Sequence, residues 1–135
     1  MIPNYDAVNK EPEILKLWKE HRIYEKAKEK NKGKQKFYFL DGPPYTSGKV
    51  HLGTAWNKSL KDSVLRYKRM QGFDVWDRAG YDMHGLPIEH QVTKKFSLGT
   101  KSDIEKFGVA RFINECMEFA IDSMNSMNKD FLRLG

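Results

Sequence analysis

A loop rich in glycine and proline leads to a histidine that could contact phosphate. The run Asp41–Thr54 reads DGPPYTSGKVHLGT. Gly42 and Gly48 allow the backbone to come close to a ligand. His51 stands where a helix is expected to begin, and the amides and dipole at such an end favour an anion. An imidazole there can donate hydrogen bonds to phosphoryl oxygens as charge builds up. The run indicates a nucleotide site, although a plain proline–glycine turn before a helix explains the same residues equally well.

The spacing differs from that of two common nucleotide motifs. A P-loop closes with Gly-Lys-Ser or Gly-Lys-Thr, whose hydroxyl holds magnesium, whereas this run has Gly48, Lys49 and Val50. The sequence also has no G-x-G-x-x-G run of the dinucleotide-binding kind. A phosphate site in this loop would therefore be of another type.

A second stretch, Ala79–Glu89, reads AGYDMHGLPIE and carries a further set of polar side chains. Asp82 is a suitable counter-charge for an ammonium group, and His84 could contact a nucleotide or hold the loop. The alternative is a turn in which Asp82 only caps backbone amides. On this stretch alone, that alternative is favoured.

Both loops follow expected strands of an α/β fold. The short aromatic run Phe37–Leu40 predicts a buried strand, and Phe73–Trp76 predicts a second. Between them, His51–Gln71 has the apolar periodicity of a helix, on a stripe formed by Leu52, Trp56, Leu60, Val64, Tyr67 and Met70. This order predicts a parallel pair with a right-handed crossover, and ligands bind beyond the carboxyl ends of such strands. Two strands make an incomplete sheet, so exposed apolar surface is expected if the unit stands alone.

Helices are expected on either side of this unit. Residues 1–36 predict an amphipathic helical arm with Pro12 in its first turn. The lysine-rich run Lys26–Lys36 predicts a solvated helix end that continues into a linker. Three helical segments follow the second loop, at Ile88–Phe96, after the capping-box spacing of Ser102–Glu105, and at Val109–Leu132. The last of these is expected to bury Phe112, Ile113, Met117, Ala120, Ile121, Met124 and Phe131.

Composition narrows the function classes only slightly. The net charge of +6 and the pI near 9.3 favour an anionic partner, but a lysine-rich solvated surface is an equally good explanation. The single cysteine, Cys116, allows neither an internal disulfide nor a Cys-x-x-Cys zinc site, and it fits a reduced, cytoplasmic setting. No run of about 18 apolar residues is present, so no membrane span is expected.

Together the two loops match one family specifically. PPYTSGKVHLGTA resembles the first signature of class I aminoacyl-tRNA synthetases, usually written H-I-G-H, and AGYDMHGLPIE resembles the Gly-Trp-Asp-x-His-Gly-Leu-Pro element of the isoleucyl enzymes. Valyl enzymes typically follow the glycine–aspartate with His-Ala-Gly-Ile-Ala-Thr, and leucyl enzymes have Ala-Phe-Gly-Leu-Pro-Ala-Glu. The HLGT form and the Gly-Pro-Pro-Tyr-Thr start resemble those of archaeal members or of a related divergent branch. The resemblance extends from about Asp6 to the last residue.

The resemblance implies a Rossmann-like catalytic domain and an isoleucine–tRNA ligase reaction. Such an enzyme activates isoleucine with ATP and Mg²⁺ to isoleucyl-adenylate, and then transfers the amino acid to tRNA(Ile). The catalytic residues implied are His51 and Thr54. The residues implied for ATP are Gly42, Pro43, His51, Gly53 and Thr54. Those implied for the amino acid are Gly42, Pro43, Asp82 and His84.

Two substitutions and one absence depart from the family pattern. Thr54 replaces the second signature histidine, and Tyr81 replaces the usual tryptophan. The second family signature, Lys-Met-Ser-Lys-Ser, does not occur in this sequence. We therefore expect residues 37–135 to be the first half of the catalytic domain, truncated before the editing insertion and inactive without the remainder of the synthetase fold.

Two other functions stay open. The chain could be a stand-alone ATP-binding module derived from a synthetase. It could also be a basic tRNA-binding fragment, in which Lys58, Lys61 and Arg66 on the helix contact RNA with a steep salt dependence.

Overall fold

The computed structural model describes residues 5–135 and shows a strand–helix–strand unit with helices before and after it in the chain. The helices are α1 (Ala7–Glu20), α2 (Ile23–Asn31), α3 (Leu52–Met70), α4 (Leu86–Lys95), α5 (Lys101–Phe107) and α6 (Val109–Leu134), and the strands are β1 (Lys36–Leu40) and β2 (Asp74–Arg78). The two strands pair in parallel, with Tyr38 opposite Trp76 at the centre. The predicted parallel pair is confirmed.

The prediction that β1 is a buried strand is wrong. Its residues alternate between exposed and half-buried, and Tyr38 and Leu40 are 70% and 83% exposed. A parallel sheet normally buries both faces under helices and is extended by further strands. In the described part of the chain the sheet has two strands, and β1 therefore stays exposed. The Tyr38 ring packs edge-on against Trp76, with 5.9 Å between ring centroids.

The N-terminal arm folds as two helices, and residues 1–4 of the predicted arm lie outside the described residues. Asp6 is the N-cap of α1 and accepts a hydrogen bond of 3.3 Å from the amide of Asn9. The helix therefore begins at Ala7, which places Pro12 inside it. The prediction of Pro12 in the first turn is wrong because the cap lies further upstream. Arg22, in the left-handed region with φ of 51°, separates α1 from α2.

The apolar stripe of α3 is exposed, as expected for a two-stranded unit. Its exposed members are Leu52, Trp56, Leu60, Val64, Tyr67 and Met70. Leu65, on a different face of the helix, is buried. The buried side chain of Asn31 donates a hydrogen bond of 2.7 Å to the carbonyl of Arg69. The same carbonyl also accepts the amide of Gly72 at 3.0 Å, so Asn31 is a second donor to a carbonyl in the last turn of α3.

The helices after the second loop differ in detail from their predicted form. The capping box at α5 joins Thr100 and Asp103, so the prediction from Ser102–Glu105 is wrong. Thr100 has extended backbone and α5 begins at Lys101, which makes Asp103 the third helical residue.

The buried face of α6 is narrower than predicted. Its buried residues are Phe112, Ala120, Ser123 and Met127. The predicted burial of Ile113, Met117 and Ile121 is wrong, since these side chains are 52%, 57% and 44% exposed. The observed positions recur at steps of three, four or eight, which is one line along a helix.

The chain divides into two compact units. One comprises the described residues up to Leu40 with Trp56–Arg78 and Arg133–Gly135, and the other comprises Asp41–Ala55 with Ala79–Leu132. The first unit holds the sheet, with Val75 at its core. The second holds both loops singled out from the sequence, and its most deeply buried side chains are Ile88, Val92 and Thr46. Among the described residues, no helix has the length and apolar content needed to cross a membrane.

Candidate functional site

The two loops are joined by their backbones. Tyr45 and Asp82 form an isolated parallel bridge. The amide of Thr46 donates to the carbonyl of Asp82 at 3.0 Å, and the amide of Asp82 donates to the carbonyl of Pro44 at 2.9 Å. The side chain of Thr46 is fully buried beneath this bridge. The backbone of Asp82 therefore has a fixed place relative to the first loop.

His51 forms the N-terminal cap of α3. Its carbonyl accepts the amide of Ala55 at 3.0 Å, and its Nδ1 accepts the amide of Thr54 at 3.2 Å. Its Nε2 lies 3.0 Å from Oγ1 of Thr54. The imidazole thus caps the helix N-terminus, a role more often filled by Ser, Thr, Asp or Asn side chains.

Gly53 leaves room for this ring. A Cβ built on Gly53 would lie 3.1 Å from Cε1 and 3.2 Å from Nδ1 of His51. These separations are tighter than ordinary van der Waals contact, so a larger residue would push the imidazole away. The glycine in this motif therefore has a local role, in addition to any contact with a nucleotide.

A cleft of about 440 Å³ opens beside this cap. Its lining residues are Pro44, Tyr45, Ser47, Gly48, Lys49, His51, Thr54 and Met127. The cleft brings together the His51 imidazole, one lysine cation and three hydroxyl groups, those of Tyr45, Ser47 and Thr54. Gly42 and Pro43 are exposed and, like Gly53, lie outside this set of lining residues.

A second cavity, of about 200 Å³, lies between the second loop, α4 and α6. It is lined by Met83, His84, Gly85, Ile88, Glu89, Phe112, Ile113, Cys116 and Met117. Burial, with the charges of Glu89 and Glu115, raises the pKa of the Cys116 thiol. His84 lies on this cavity, whereas half-buried Asp82 lies on the bridge between the loops and lines neither cavity among the described residues.

The C-terminal part of α6 holds both loops, which the sequence did not suggest. The amide of Val50 donates to Oδ2 of Asp130 at 3.4 Å. The hydroxyl of Tyr81 donates to Oδ1 of Asn128 at 2.6 Å, and its ring stacks on Phe131 with 6.4 Å between centroids. Burial raises the pKa of Tyr81, so its hydroxyl stays a donor at neutral pH. In the sequence, the polar residues of this segment look like the solvated face of an amphipathic helix.

Arg66, on the basic face of α3, makes contacts within the first unit. Arg66 bonds Asp62 at 2.5 Å, contacts the carbonyl of Gly135, and stacks over the ring of Trp18. Burial, with the charge of Lys61, lowers the pKa of Lys58.

Comparison with known proteins places this geometry in one family. A family model described as tRNA synthetases class I (I, L, M and V) matches residues 13–135. The chain belongs to the class I tRNA synthetase family.

Three archaeal relatives carry the same name. The Isoleucine--tRNA ligase of Methanoregula boonei is 53% identical over 132 residues, which is 98% of this chain. The proteins of that name from Archaeoglobus fulgidus and Methanocaldococcus jannaschii are 53% and 55% identical, over 99% and 90% of this chain. The chain spans 12% to 13% of the length of these three relatives. The resemblance to archaeal isoleucyl enzymes is confirmed.

A solved synthetase shares the fold. The LeuRS of Agrobacterium radiobacter K84, crystallised as a ternary complex with tRNA and LeuAMS, matches with a TM-score of 0.67. It is 28% identical, and the match covers 96% of this chain and 14% of that one. The expected fold class, an α/β fold forming part of a Rossmann-like domain, is confirmed.

Proposed function

We propose that this chain supplies the phosphate-binding and amino-acid-binding loops of an isoleucine–tRNA ligase. The observation that carries the proposal is the backbone bridge between Tyr45 and Asp82, because it fixes the two loops side by side in one unit. One loop ends at the His51 cap and its cleft, and the other presents a carboxylate. Relatives about half identical to this chain bear the name Isoleucine--tRNA ligase.

The proposed reaction starts with ATP in the cleft beside His51 and Thr54. The carboxylate of isoleucine attacks the α-phosphorus in line, which gives isoleucyl-adenylate and pyrophosphate. The protein acts by holding the reactants in position and by stabilising negative charge, so a covalent enzyme intermediate is unnecessary. Lys49 in the cleft lining offers a cation to the phosphates, and Gly53 keeps the His51 ring in place.

The amino acid is proposed to lie next to the bridge. Asp82 pairs with the substrate ammonium, Gly42 and Pro43 line the path between ATP and isoleucine, and His84 supports the second loop from its own cavity. Half-burial of Asp82 strengthens such a charge pair relative to a fully solvated one.

Magnesium is proposed to arrive with the nucleotide. Mg²⁺ prefers carboxylate and phosphate oxygens in an octahedral arrangement, but the cleft lining has hydroxyls, an imidazole and an ammonium, and no carboxylate. The described residues also contain no group of three or more His, Cys, Asp or Glu side chains that could hold a metal ion. These residues therefore do not make a magnesium site, and no step of the proposed reaction is assigned to the ion.

The whole protein is proposed to contain more than this chain. Residues 1–36 would be an arm on residues 37–135, the first half of the catalytic domain, and the remainder of the fold, tRNA(Ile) and isoleucine would be its partners. A cytoplasmic setting suits a chain whose single cysteine is free.

Two measurements on this chain test the proposal. We expect weak ATP binding and negligible isoleucine-dependent ATP–pyrophosphate exchange, because the chain spans only about an eighth of its relatives. We expect Asp82→Asn to lower isoleucine affinity about tenfold or more, since a hydrogen bond to a charged group contributes roughly 1.5–3 kcal/mol. The matched control Asp62→Asn, whose carboxylate pairs with Arg66 in the other unit, should leave isoleucine affinity unchanged.

Other outcomes would favour the alternatives. ATP binding with no response to isoleucine would support a stand-alone nucleotide-binding module, and exchange at the rate of a complete synthetase would contradict the role of a partial site. RNA binding that is lost on substituting Lys58, Lys61 and Arg66 would support the basic fragment. The contacts of Arg66 with Asp62 and Trp18 argue against that function.

A further inference from the structure

Two helices present apolar stripes to solvent. The first stripe, here called the α3 face, consists of Trp56, Leu60, Val64, Tyr67 and Met70, which are 47% to 79% exposed. The second, here called the α6 face, consists of Val109, Ile113, Met117 and Ile121, which recur at every fourth residue and are 44% to 57% exposed. Contiguous apolar patches of this kind mark interaction surfaces in soluble proteins.

The α3 face is large enough to contribute to a stable contact. An aromatic side chain has about 150–250 Å² of surface to bury. Trp56 and Tyr67 are 65% and 55% exposed, so these two side chains alone present roughly 200 Å². The aliphatic residues of the face and its charged flanks extend the surface toward the roughly 800 Å² per partner that a stable complex buries.

The α6 face contains a socket. The cavity of about 200 Å³ between α4 and α6 opens on this face, because Ile113 and Met117 belong to its lining. Ile88 and Phe112, which are buried, also line it. Interfaces draw much of their binding energy from aromatic side chains inserted into such pockets. Trp56 is the largest side chain of the α3 face and matches this socket in chemistry.

The margins of the two faces carry opposite charge. The helix α3 has five cations and one carboxylate, and Lys61 and Lys68 each directly follow a residue of the α3 face. Residues 109–124 of α6 have three carboxylates and one cation, and Glu118 and Asp122 each directly follow a residue of the α6 face. Glu89 adds a carboxylate to the cavity lining. Like faces would therefore repel at their margins, whereas unlike faces attract.

We propose that the α3 face of one chain docks on the α6 face of a second copy, with Trp56 inserted into the cavity beside Met117. The contact is heterologous, so each copy in a pair keeps one face open and the assembly grows beyond two chains as a ring or a filament. This self-association goes beyond the proposed function, since it requires neither ATP nor isoleucine.

Sedimentation velocity over a range of concentrations of the 135-residue chain tests the contact. The average mass of the wild type should rise with concentration. Trp56→Gln and Met117→Gln each disable one face, so each variant should keep the mass of a single chain. Both side chains are more than half exposed, so the fold should persist, which circular dichroism checks. The control Val8→Gln changes a 77% exposed residue of α1 outside both faces, and it should associate as the wild type does.

A mixture of the two variants distinguishes a heterologous contact from a symmetric one. Trp56→Gln keeps the α6 face and Met117→Gln keeps the α3 face, so an equimolar mixture should form pairs of twice the mass of one chain and no larger species. A Met117→Gln chain that pairs with itself would reveal contact between two α3 faces, and a self-pairing Trp56→Gln chain would reveal contact between two α6 faces. Either result, or a mixture that stays monomeric, would overturn the proposal.

Reversing the charge at the margin of the α6 face gives a second test. Glu118→Lys combined with Asp122→Lys leaves the apolar residues in place and should weaken association about three- to tenfold at low salt. The difference from the wild type should shrink as salt screens the charges. Association that is unchanged by this reversal, or that is lost equally in Val8→Gln, would contradict the proposed docking. A wild-type chain that stays monomeric at every concentration would overturn it and leave both faces to other parts of a longer protein.

Discussion

The amide of Thr46 donates a 3.0 Å hydrogen bond to the carbonyl of Asp82, and this bond ties the first signature loop to the second. The two residues are distant in the sequence, and Thr46 is fully buried. Such burial is unusual for a polar side chain unless its hydrogen bonds are satisfied. Oγ1 of Thr46 also donates to the Asp82 carbonyl, at 3.4 Å. Thr46 is therefore the residue most directly responsible for the geometry of the bridge.

Thr46→Ala should loosen the bridge. The change removes a buried methyl group and a hydroxyl bond, so we expect the free energy of unfolding to fall by about 1–2 kcal/mol. The amide of Asp82 should exchange with solvent faster than in the wild type, because the backbone beneath it is no longer packed. Urea unfolding and hydrogen exchange measure the two effects.

Thr93→Ala is the matched control for that substitution. Thr93 is half-buried on α4, and its hydroxyl donates to the carbonyl of His90 at 2.9 Å without joining the two loops. Alanine is also the better helix former, so the unfolding free energy should hardly change. Equal losses in Thr46→Ala and Thr93→Ala would show that Thr46 has no special part in the bridge.

Tyr81→Phe tests the hydrogen bond between the second loop and α6. The ring can still stack on Phe131, but the 2.6 Å bond to Asn128 is lost, and we expect a destabilisation of about 1 kcal/mol. Burial raises the pKa of Tyr81. The protonated hydroxyl therefore contributes fully below the usual tyrosine pKa, and its contribution disappears as the pH rises through the higher folded value.

Ultraviolet titration and urea unfolding at alkaline pH measure these effects. Tyr67→Phe is the control, because Tyr67 is 55% exposed and its hydroxyl accepts only from the neighbouring Gln71 side chain at 3.0 Å. A stability difference between wild type and Tyr81→Phe that persists unchanged above the folded pKa would contradict the role of the Asn128 bond.

Local signals in the sequence predicted most of the elements, and long-range contacts account for the errors. The run of aromatic residues identified β1, but its burial depends on neighbours that the local pattern does not report. The glycine–histidine spacing identified the first loop, yet the capping role of the His51 imidazole depends on a ring orientation that spacing does not encode. Asp130 was missed because a carboxylate late in a long helix has no motif, and its bond to Val50 spans much of the chain. Whether Gly42, Pro43, Asp82 and His84 contact the amino acid stays a prediction.

Asp77→Asn should destabilise the first unit. Burial by itself raises the pKa of Asp77, but the charge of Arg69 and the hydrogen bonds from Arg69 and Tyr24 outweigh it and lower the pKa overall. Arg69 is only 12% exposed at its side chain, so the variant leaves a poorly solvated guanidinium without its carboxylate. After allowance for partial solvent screening, we expect a loss of about 2 kcal/mol at neutral pH.

The pH dependence of that loss has a definite sign. A lowered folded pKa means that the Asp77 carboxylate stabilises the fold above its unfolded pKa, and that this contribution disappears as the pH falls through the folded value. The difference in unfolding free energy between wild type and Asp77→Asn, measured by urea unfolding, should therefore disappear at acidic pH. Asp62→Asn, which breaks the more exposed pair with Arg66, should cost little at any pH. A difference in unfolding free energy that stays constant at pH values below the folded pKa of Asp77 would rule out the ion pair as its cause.

Gly53→Ala should weaken ATP binding without weakening the helix. Alanine in a helix is about 0.5–1 kcal/mol more favourable than glycine. Its Cβ, however, would lie 3.1 Å from Cε1 of His51, so the ring would have to shift by a few tenths of an ångström. We expect thermal stability to be kept or raised, while ATP affinity falls about three- to tenfold because the His51 ring in the cleft lining is shifted. Gly99→Ala is the control, since a Cβ there would meet only Asp103 Oδ2 at an ordinary 3.8 Å. NMR titration with Mg·ATP measures the affinity of each variant, and a thermal melt measures its stability. A Gly53→Ala chain that binds ATP as tightly as Gly99→Ala would contradict the role of this glycine in positioning His51.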